Sequence, residues 1–333
     1  MKRQAGAALL LLVALLAAGA GTFFVASGEG KRKLLARAGM DAARLAHARE
    51  LLLGHALSNA RRPGELAFPD RRADGNYDGN GDCVPTWSDV TPSHLLGRLP
   101  AFLEQGCGTE RPGPGLVLRD ASGERLWYAV SRQLLYPAPV LNSAVAGDWL
   151  EVFSVHGVTQ AAFVVFAPGP VLGVQQRTAG AGPTAYLDGL QLAGTSHHNG
   201  DEDSRFVTAP ARSDFNDRLL VVERAEFLDM LTLHVARVLR TTLETHRTAY
   251  GDYPHAALAG GACHTGLADG FFPTGLGSCA TVPVSPNWFE SDWSQVTHYT
   301  RLAPALARLR FDGCAREFTV TPLGVSPSAG TCI

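Results

Sequence analysis

Net charge is almost absent from this sequence: 29 Lys and Arg stand against 31 Asp and Glu, and charged residues make up 18% of the chain. The first 26 residues hold Lys2 and Arg3 and no acid, so the remainder carries 27 basic against 31 acidic groups. Electrostatic steering onto nucleic acid has no basis in such a balance. Also missing are the Gly-x-Ser-x-Gly elbow, the His-Glu-x-x-His pair, a phosphate-binding glycine loop and the dinucleotide fingerprint. His156, His246 and Asp148 are isolated acid-base types, so the expectation is no enzyme. No Cys-x-x-Cys pair occurs, and His264 beside Cys263 has no matching His at finger spacing, which sets zinc aside.

What is present begins with 46% apolar residues in 333, enough for a substantial core and about two domains. Gly 36 and Pro 20 favour turns and short strands over a helical bundle. The uncharged run from Ala7 to Ala26 follows a basic start. Twenty residues in a helix span about 30 Å, the hydrocarbon thickness of a bilayer. A cleaved secretory signal, cut near Ala18-Gly19-Ala20, is the alternative. Either reading exports the rest of the chain.

The six cysteines, Cys83, Cys107, Cys263, Cys279, Cys314 and Cys332, all lie downstream of that run. An even number in Gly- and Pro-rich surroundings suits disulfides in an oxidising compartment. Their grouping into three local couples predicts consecutive pairing: Cys83 with Cys107, Cys263 with Cys279, Cys314 with Cys332.

Past Ser27-Gly28-Glu29-Gly30, Leu34, Leu35, Ala38, Ala42, Leu45, Leu52 and Ala56 recur at three- and four-residue steps, which predicts an amphipathic helix over 31–57. Asn59 and Pro63-Gly64 end it. The stretch Asp74 to Asp82 then offers oxygen side chains at Asp74, Asn76, Asp78 and Asp82 around Gly79, the opening of a calcium loop. Pro85 stands where a bidentate Glu would complete it, and a plain Asx-rich turn is the alternative. Ca2+ as a structural ion is the one cofactor suggested.

Runs at 125–130, 149–153 and 162–166 read as an antiparallel sheet. The segment 194–203, with His197 and His198, reads as a polar loop. A second helix is expected from Arg224 to Tyr250, stopped by Gly251-Asp252-Tyr253-Pro254, its stripe packing on C-terminal strands at 307–311 and 317–321. Two long helices about 190 residues apart, each leading to a cysteine couple, suggest a weak internal duplication.

The start Lys2-Arg3-Gln4-Ala5-Gly6 before Ala7-Ala8-Leu9-Leu10-Leu11 resembles the leader of type IV pilin-like proteins. The segments 62–70, 123–130 and 215–219 are similar to a large minor-pilin-like family of bacteria, and Leu243-Glu244-Thr245-His246-Arg247 through Pro254 to the helix end of pseudopilins. That resemblance implies prepilin-peptidase cleavage between Gly6 and Ala7. It implies an α+β fold: a membrane or filament helix extended by an amphipathic helix, then a largely antiparallel β head with a second long helix and two pilin-like lobes. The expected division is a leader (1–6), an N-terminal helix (7–60), a first β-rich lobe (61–214) and a second lobe (215–333). The fifth residue after Gly6 is Leu11, where most pilins carry Glu; the Glu pairs with a neighbour's N-terminal amine, and its loss goes with a place at the fibre end.

The implied function is a minor pilin or pseudopilin that initiates or caps a type IV pilus or type II secretion pseudopilus and presents a binding surface. The implied location is the bacterial inner membrane with the head in the periplasm, or outside the cell in an assembled pilus. Its partners would be other pilin subunits, prepilin peptidase, the inner-membrane assembly machinery and the membrane, with no nucleic acid. An anchored or signal-exported periplasmic binding protein or enzyme is the competing class.

Overall fold

The computed structural model describes residues 32–72, 77–102, 116–173, 175–259, 264, 266–274 and 286–332. Helix α1 occupies residues 32–58. Leu45, Ala48, Leu52, Leu53 and Ala56 bury one stripe of it in the core, while Leu34 and Leu35 on its first turn are 65% and 73% exposed. The Asn59 side-chain oxygen accepts from the amides of Arg61 and Arg62, and Gly64, at φ 95°, donates back to the Ala56 carbonyl at 2.8 Å. A β-carbon at Gly64 would sit 2.7 Å from both Leu141 and Leu231, so only glycine lets the chain turn there.

The strands follow in chain order: β1 (Leu96–Arg98), β2 (Trp127–Val130), β3 (Leu150–Ser154), β4 (Gly157–Ala167), β5 (Gly189–Leu192), β6 (Thr195–His198), β7 (Arg205–Val207) and β8 (Arg218–Glu223). After helix α2 (Arg224–Tyr250) come β9 (Asp269–Phe271), β10 (Thr297–Ala303), β11 (Leu306–Phe311), β12 (Glu317–Thr321) and β13 (Gly324–Pro327).

Strand β4 organises the first sheet. Phe163 pairs with Val130 on one side and Val222 on the other, and Ala161 pairs with Leu150 and Glu223, so β2 and β3 share one edge and β8 takes the opposite one. Ser131 joins the shared edge: its hydroxyl donates to the Ala161 carbonyl at 2.6 Å and accepts from the Leu150 amide at 3.1 Å. Both faces of β4 are covered. Phe163, Val165 and Ala167 enter the main core, whereas Ala161, Val164 and Phe166 enter a second cluster with Trp127, Tyr186 and Phe206. The register shift between Ala161 and Phe163 inserts one residue, so Ala162 and Phe163 both reach the main core.

The second sheet has the order β13-β12-β11-β10-β9, entirely antiparallel, and β5 pairs with β6 alone. Helix α2 lies between the two larger sheets, touching β12 and β13 as well as β4 and β8. Its stripe Phe227, Leu228, Leu231, Val235, Leu239 and Leu243 is fully buried, and Gly251 in the left-handed region closes it, its amide donating a hydrogen bond to the Arg247 carbonyl at 2.7 Å. The chain end is clipped to this helix. The Cys332 amide donates to Asp229 Oδ1 at 2.8 Å, Arg316 pairs with Asp229 Oδ2 at 3.2 Å, and Cys332 is bonded to Cys314.

The expected α+β architecture of a membrane helix leading into two pilin-like lobes is corrected by this arrangement. The described molecule is mostly β, with thirteen strands in three sheets and two long helices. No described helix is long and apolar enough to cross a membrane, and residues 7–26, where such a helix was expected, lie outside the described residues. One core runs from Leu52 through Phe163 and Leu231 to Phe311 and Phe318. The physical reason is length and reach: β1, β5, β6, β7, β9 and β13 have three or four residues, too few to show alternation, and α2 is covered by sheets from both halves of the chain.

The same burial sets an expected result on α1. Leu52 is fully buried, so Leu52→Ala lowers stability by about 2–5 kcal/mol. Leu35→Ala, on the uncovered turn, changes it by less than about 0.5 kcal/mol. Denaturant unfolding of the two variants checks this, and equal losses would mean that the first turn is covered in solution.

Candidate functional site

The most heavily interlocked polar region surrounds the segment that enters and leaves the expected calcium loop. Asp70 and Arg98 exchange backbone hydrogen bonds at 2.9 and 2.7 Å, and Gly97 permits the approach, since a β-carbon there would meet the Asp70 carbonyl at 2.5 Å. The Asp70 side chain is 1% exposed. Its Oδ2 accepts from the Gly79 amide at 3.0 Å and from Arg125 Nη2 at 2.7 Å, while Oδ1 has no hydrogen-bond partner among the described residues. Burial pushes this carboxyl up to about 7, even with the Arg125 guanidinium against it. Arg125 also donates to the Tyr77 carbonyl at 3.1 Å, and Asp82 Oδ2 accepts from the Arg71 amide at 2.5 Å. Both ends of the loop are thereby tied to one place.

Beside this hub Arg98 is 8% exposed and lies among three rings, 4.5 Å from Tyr77, 4.9 Å from Tyr186 and 5.6 Å from Trp127. Cation–π attraction is strongest where water is excluded, as it is here. Each ring comes from a different segment.

The sequence-derived candidates are distributed as follows. Asp78 accepts through Oδ1 from the Asn80 amide at 2.7 Å and through Oδ2 from the Asn80 side-chain amide at 2.8 Å, and Asp82 accepts from the Arg71 amide, so both are used by the loop's own bonds. Asp74 and Asn76 lie outside the described residues, as do Gly6, Ala7, Cys107, Cys263 and Cys279. Among the described residues no group of three His, Cys, Asp or Glu is placed to hold a metal. Cys83 is disulfide-bonded, and Cys314 pairs with Cys332. His197 and His198 stand on β6 rather than in a loop. His197 stacks on Phe153 at 4.2 Å, and His198 Nδ1 accepts from the Gly200 amide at 3.0 Å. Asp148, His156 and His246 make no bond with one another: Asp148 is exposed beside Arg132, the His156 backbone amide donates to the Ser154 hydroxyl at 3.1 Å in the β3–β4 turn, and His246 donates to the Asp252 carbonyl at 2.8 Å.

A second buried network was not visible in the sequence. Asp217, 2% exposed, accepts through Oδ2 from the Asp188 amide at 2.8 Å and from Asn199 Nδ2 at 2.9 Å, leaving Oδ1 without a partner among the described residues. Asp188 accepts from Gln175 at 2.8 Å and from the Asn216 amide at 2.7 Å. Burial, then the neighbouring Asp188 charge, pushes the Asp217 carboxyl up to about 8. In sequence, Asn216-Asp217 reads as an ordinary turn, and only the apolar neighbours Phe215 and Leu219 hint at burial. Asn199 carries the network to the first sheet, its Nδ2 donating to the Val207 carbonyl of β7 at 3.2 Å and its Oδ1 accepting from the Val207 amide at 2.7 Å.

No family model, curated protein or solved structure matches this chain.

Proposed function

We propose that the chain is a minor pilin or pseudopilin, a structural subunit that initiates or caps a filament. In this reading the uncharged segment 7–26 holds it in the bacterial inner membrane, and the head faces the periplasm. The observation that carries the reading is the two-part character of α1. Its apolar stripe is buried in the head from Leu45 to Ala56, yet residues 32–37 are exposed, with Leu34 and Leu35 uncovered where the chain arrives from the apolar run. An uncovered apolar turn adjoining such a run suits a helix that continues into a bilayer or a bundle of like helices, media of similar polarity between which a subunit transfers with little change in burial. The Cys314–Cys332 bond supports an oxidising compartment. Leu11 in place of Glu removes the contact to a preceding subunit's amine, which favours the end of a fibre. Other pilin subunits, prepilin peptidase and the inner-membrane assembly machinery are the partners this role requires.

N-terminal sequencing or intact mass of the chain recovered from bacterial membranes tests it. The expected product begins at Ala7. A product beginning at Gly21 would mean ordinary signal-peptide removal and would overturn the proposal.

A further inference from the structure

A groove of about 380 Å³ runs between the first turns of α1 and the head loops at 121–122, 169–172 and 211–218. Leu34, Pro170, Leu172 and Ala211 give it an apolar wall, and Arg37 from the helix and Arg212 from the last loop line it as well. On the helix side Leu34, Arg37 and Asp41 fall at i, i+3 and i+7, which is one stripe. Asp41 is used by the fold: its Oδ1 accepts from the Ala121 amide at 2.7 Å, and its Oδ2 stands 3.5 Å from Arg218 Nε. Arg212 Nε pairs with Asp214 Oδ1 at 3.0 Å, and both members of that pair are exposed. Arg37 makes no hydrogen bond or ion pair among the described residues, and neither do Arg32 and Lys33 in the turn before it. A chain whose charges nearly cancel thus gathers unpaired cations and an uncovered apolar wall at one place.

The position of that place selects the partner. Only residues 27–31 separate the uncharged run, which ends at Ala26, from Arg32, and six extended steps reach no further than about 22 Å. With the run in a bilayer, the groove is tethered within that distance of the lipid headgroups. We propose that the groove binds an anionic phospholipid of that bilayer. Arg37 and Arg212 take the negative headgroup, Leu34, Leu172 and Ala211 meet the apolar chains where they leave it, and Arg32 and Lys33 add attraction to the anionic surface around it. A small soluble anion would leave the apolar wall in water, and a zwitterionic lipid would bring its ammonium to the arginines. The choice of a lipid rests on the membrane-anchored part of the filament reading.

The test uses the full chain in micelles of a neutral detergent and isothermal titration calorimetry, with empty micelles as the blank. Three probes are titrated: dioctanoyl phosphatidylglycerol, dioctanoyl phosphatidylcholine, and glycerol 3-phosphate, which has no apolar chains. Phosphatidylglycerol is expected to bind at least about tenfold more tightly than either of the others, the effect of two basic side chains near an anionic headgroup. Arg37→Gln with Arg212→Gln should bring it down to the phosphatidylcholine value, and Ala211→Trp, which fills the groove and keeps its charge, should weaken both lipids. Arg308→Gln with Arg310→Gln removes two cations from β11 and should change neither. All these side chains except Ala211 are charged and lie outside the core, and Ala211 is exposed, so the variants keep the fold. Equal affinity for the two lipids in the parent chain, glycerol 3-phosphate as tight as phosphatidylglycerol, an equal loss in the β11 pair, or no effect of Ala211→Trp would overturn the proposal. So would a dimer in sedimentation that Ala211→Trp dissociates, since the groove would then belong to a second copy. Because the lipids are offered in micelles, a chain that begins at Gly21 fails the filament reading while its lipid affinities still decide the site.

Discussion

Replacing Asp217 by asparagine flattens the pH dependence of stability. The Asp217 carboxyl is raised to about 8 in the folded chain from an ordinary value of 3.8, so between these limits the folded state holds a proton that the unfolded state has released. The stability this contributes is complete below about pH 4 and is lost as pH rises towards 8. Between pH 5 and 8 the loss amounts to about 4 kcal/mol, at about 1.4 kcal/mol per pH unit. For a chain of this size that is a fall in melting temperature of roughly 8 °C. The Asp217→Asn side chain would keep the oxygen that accepts from the Asp188 amide and Asn199, and its amide group has no proton to lose in this range. Asp188, Asn199 and Arg177 face the group, and the Arg177 charge opposes the shift without cancelling it. Melting curves of both chains at pH 5 and pH 8 decide the matter. Parallel curves would mean that Asp217 is ionised throughout.

The second large effect is expected at Arg62. Its Nε and Nη2 donate to Asp292 Oδ2 and Oδ1 at 3.0 and 2.8 Å, and Nη1 donates to the Ala138 carbonyl at 2.6 Å. The Asp292 side chain is only 3% exposed and also accepts from the Leu141 amide. The pair joins the end of α1 to the turn that precedes β10. Arg62→Ala leaves a buried carboxylate without its cation, a loss of about 3–5 kcal/mol. Glu65 adds to this, because burial already holds its carboxyl up at about 7 and the Arg62 charge is the main one opposing that rise. The double variant Arg62→Met with Asp292→Leu should recover most of the loss, since the cost lies in the orphaned charge rather than in the missing bond. Denaturant unfolding reads both values. A single variant within about 1 kcal/mol of the parent would show that the pair is hydrated in solution.

Both long helices are legible from local periodicity, because an amphipathic stripe needs no knowledge of what covers it. The stripe Leu45, Leu52 and Ala56 in α1 is buried as the spacing implies, and α2 begins and ends where its cap signals fall. The runs at 125–130, 149–153 and 162–166 likewise coincide with β2, β3 and β4. The polar hubs behave differently. Asp70 meets Arg125 across 55 residues, and Arg62 meets Asp292 across 230. No window of sequence contains both partners. Asp78 and Asp82 read as metal ligands because their spacing is local, whereas Asp70, upstream and more deeply buried than either, carries no pattern of its own.

Local spacing alone encodes the secondary elements whose apolar pattern repeats, the helix stops at Asn59 and Gly251, and the nearness of Cys314 to Cys332. Folding is what covers α2 on both sides, brings the strands of both chain halves into one core, and buries Asp70, Asp217 and Glu65 so that their carboxyls are raised well above the ordinary range. The reason is physical: periodicity is a property of the chain, while burial and the loss of water that shifts a carboxyl are properties of neighbours brought together only by folding.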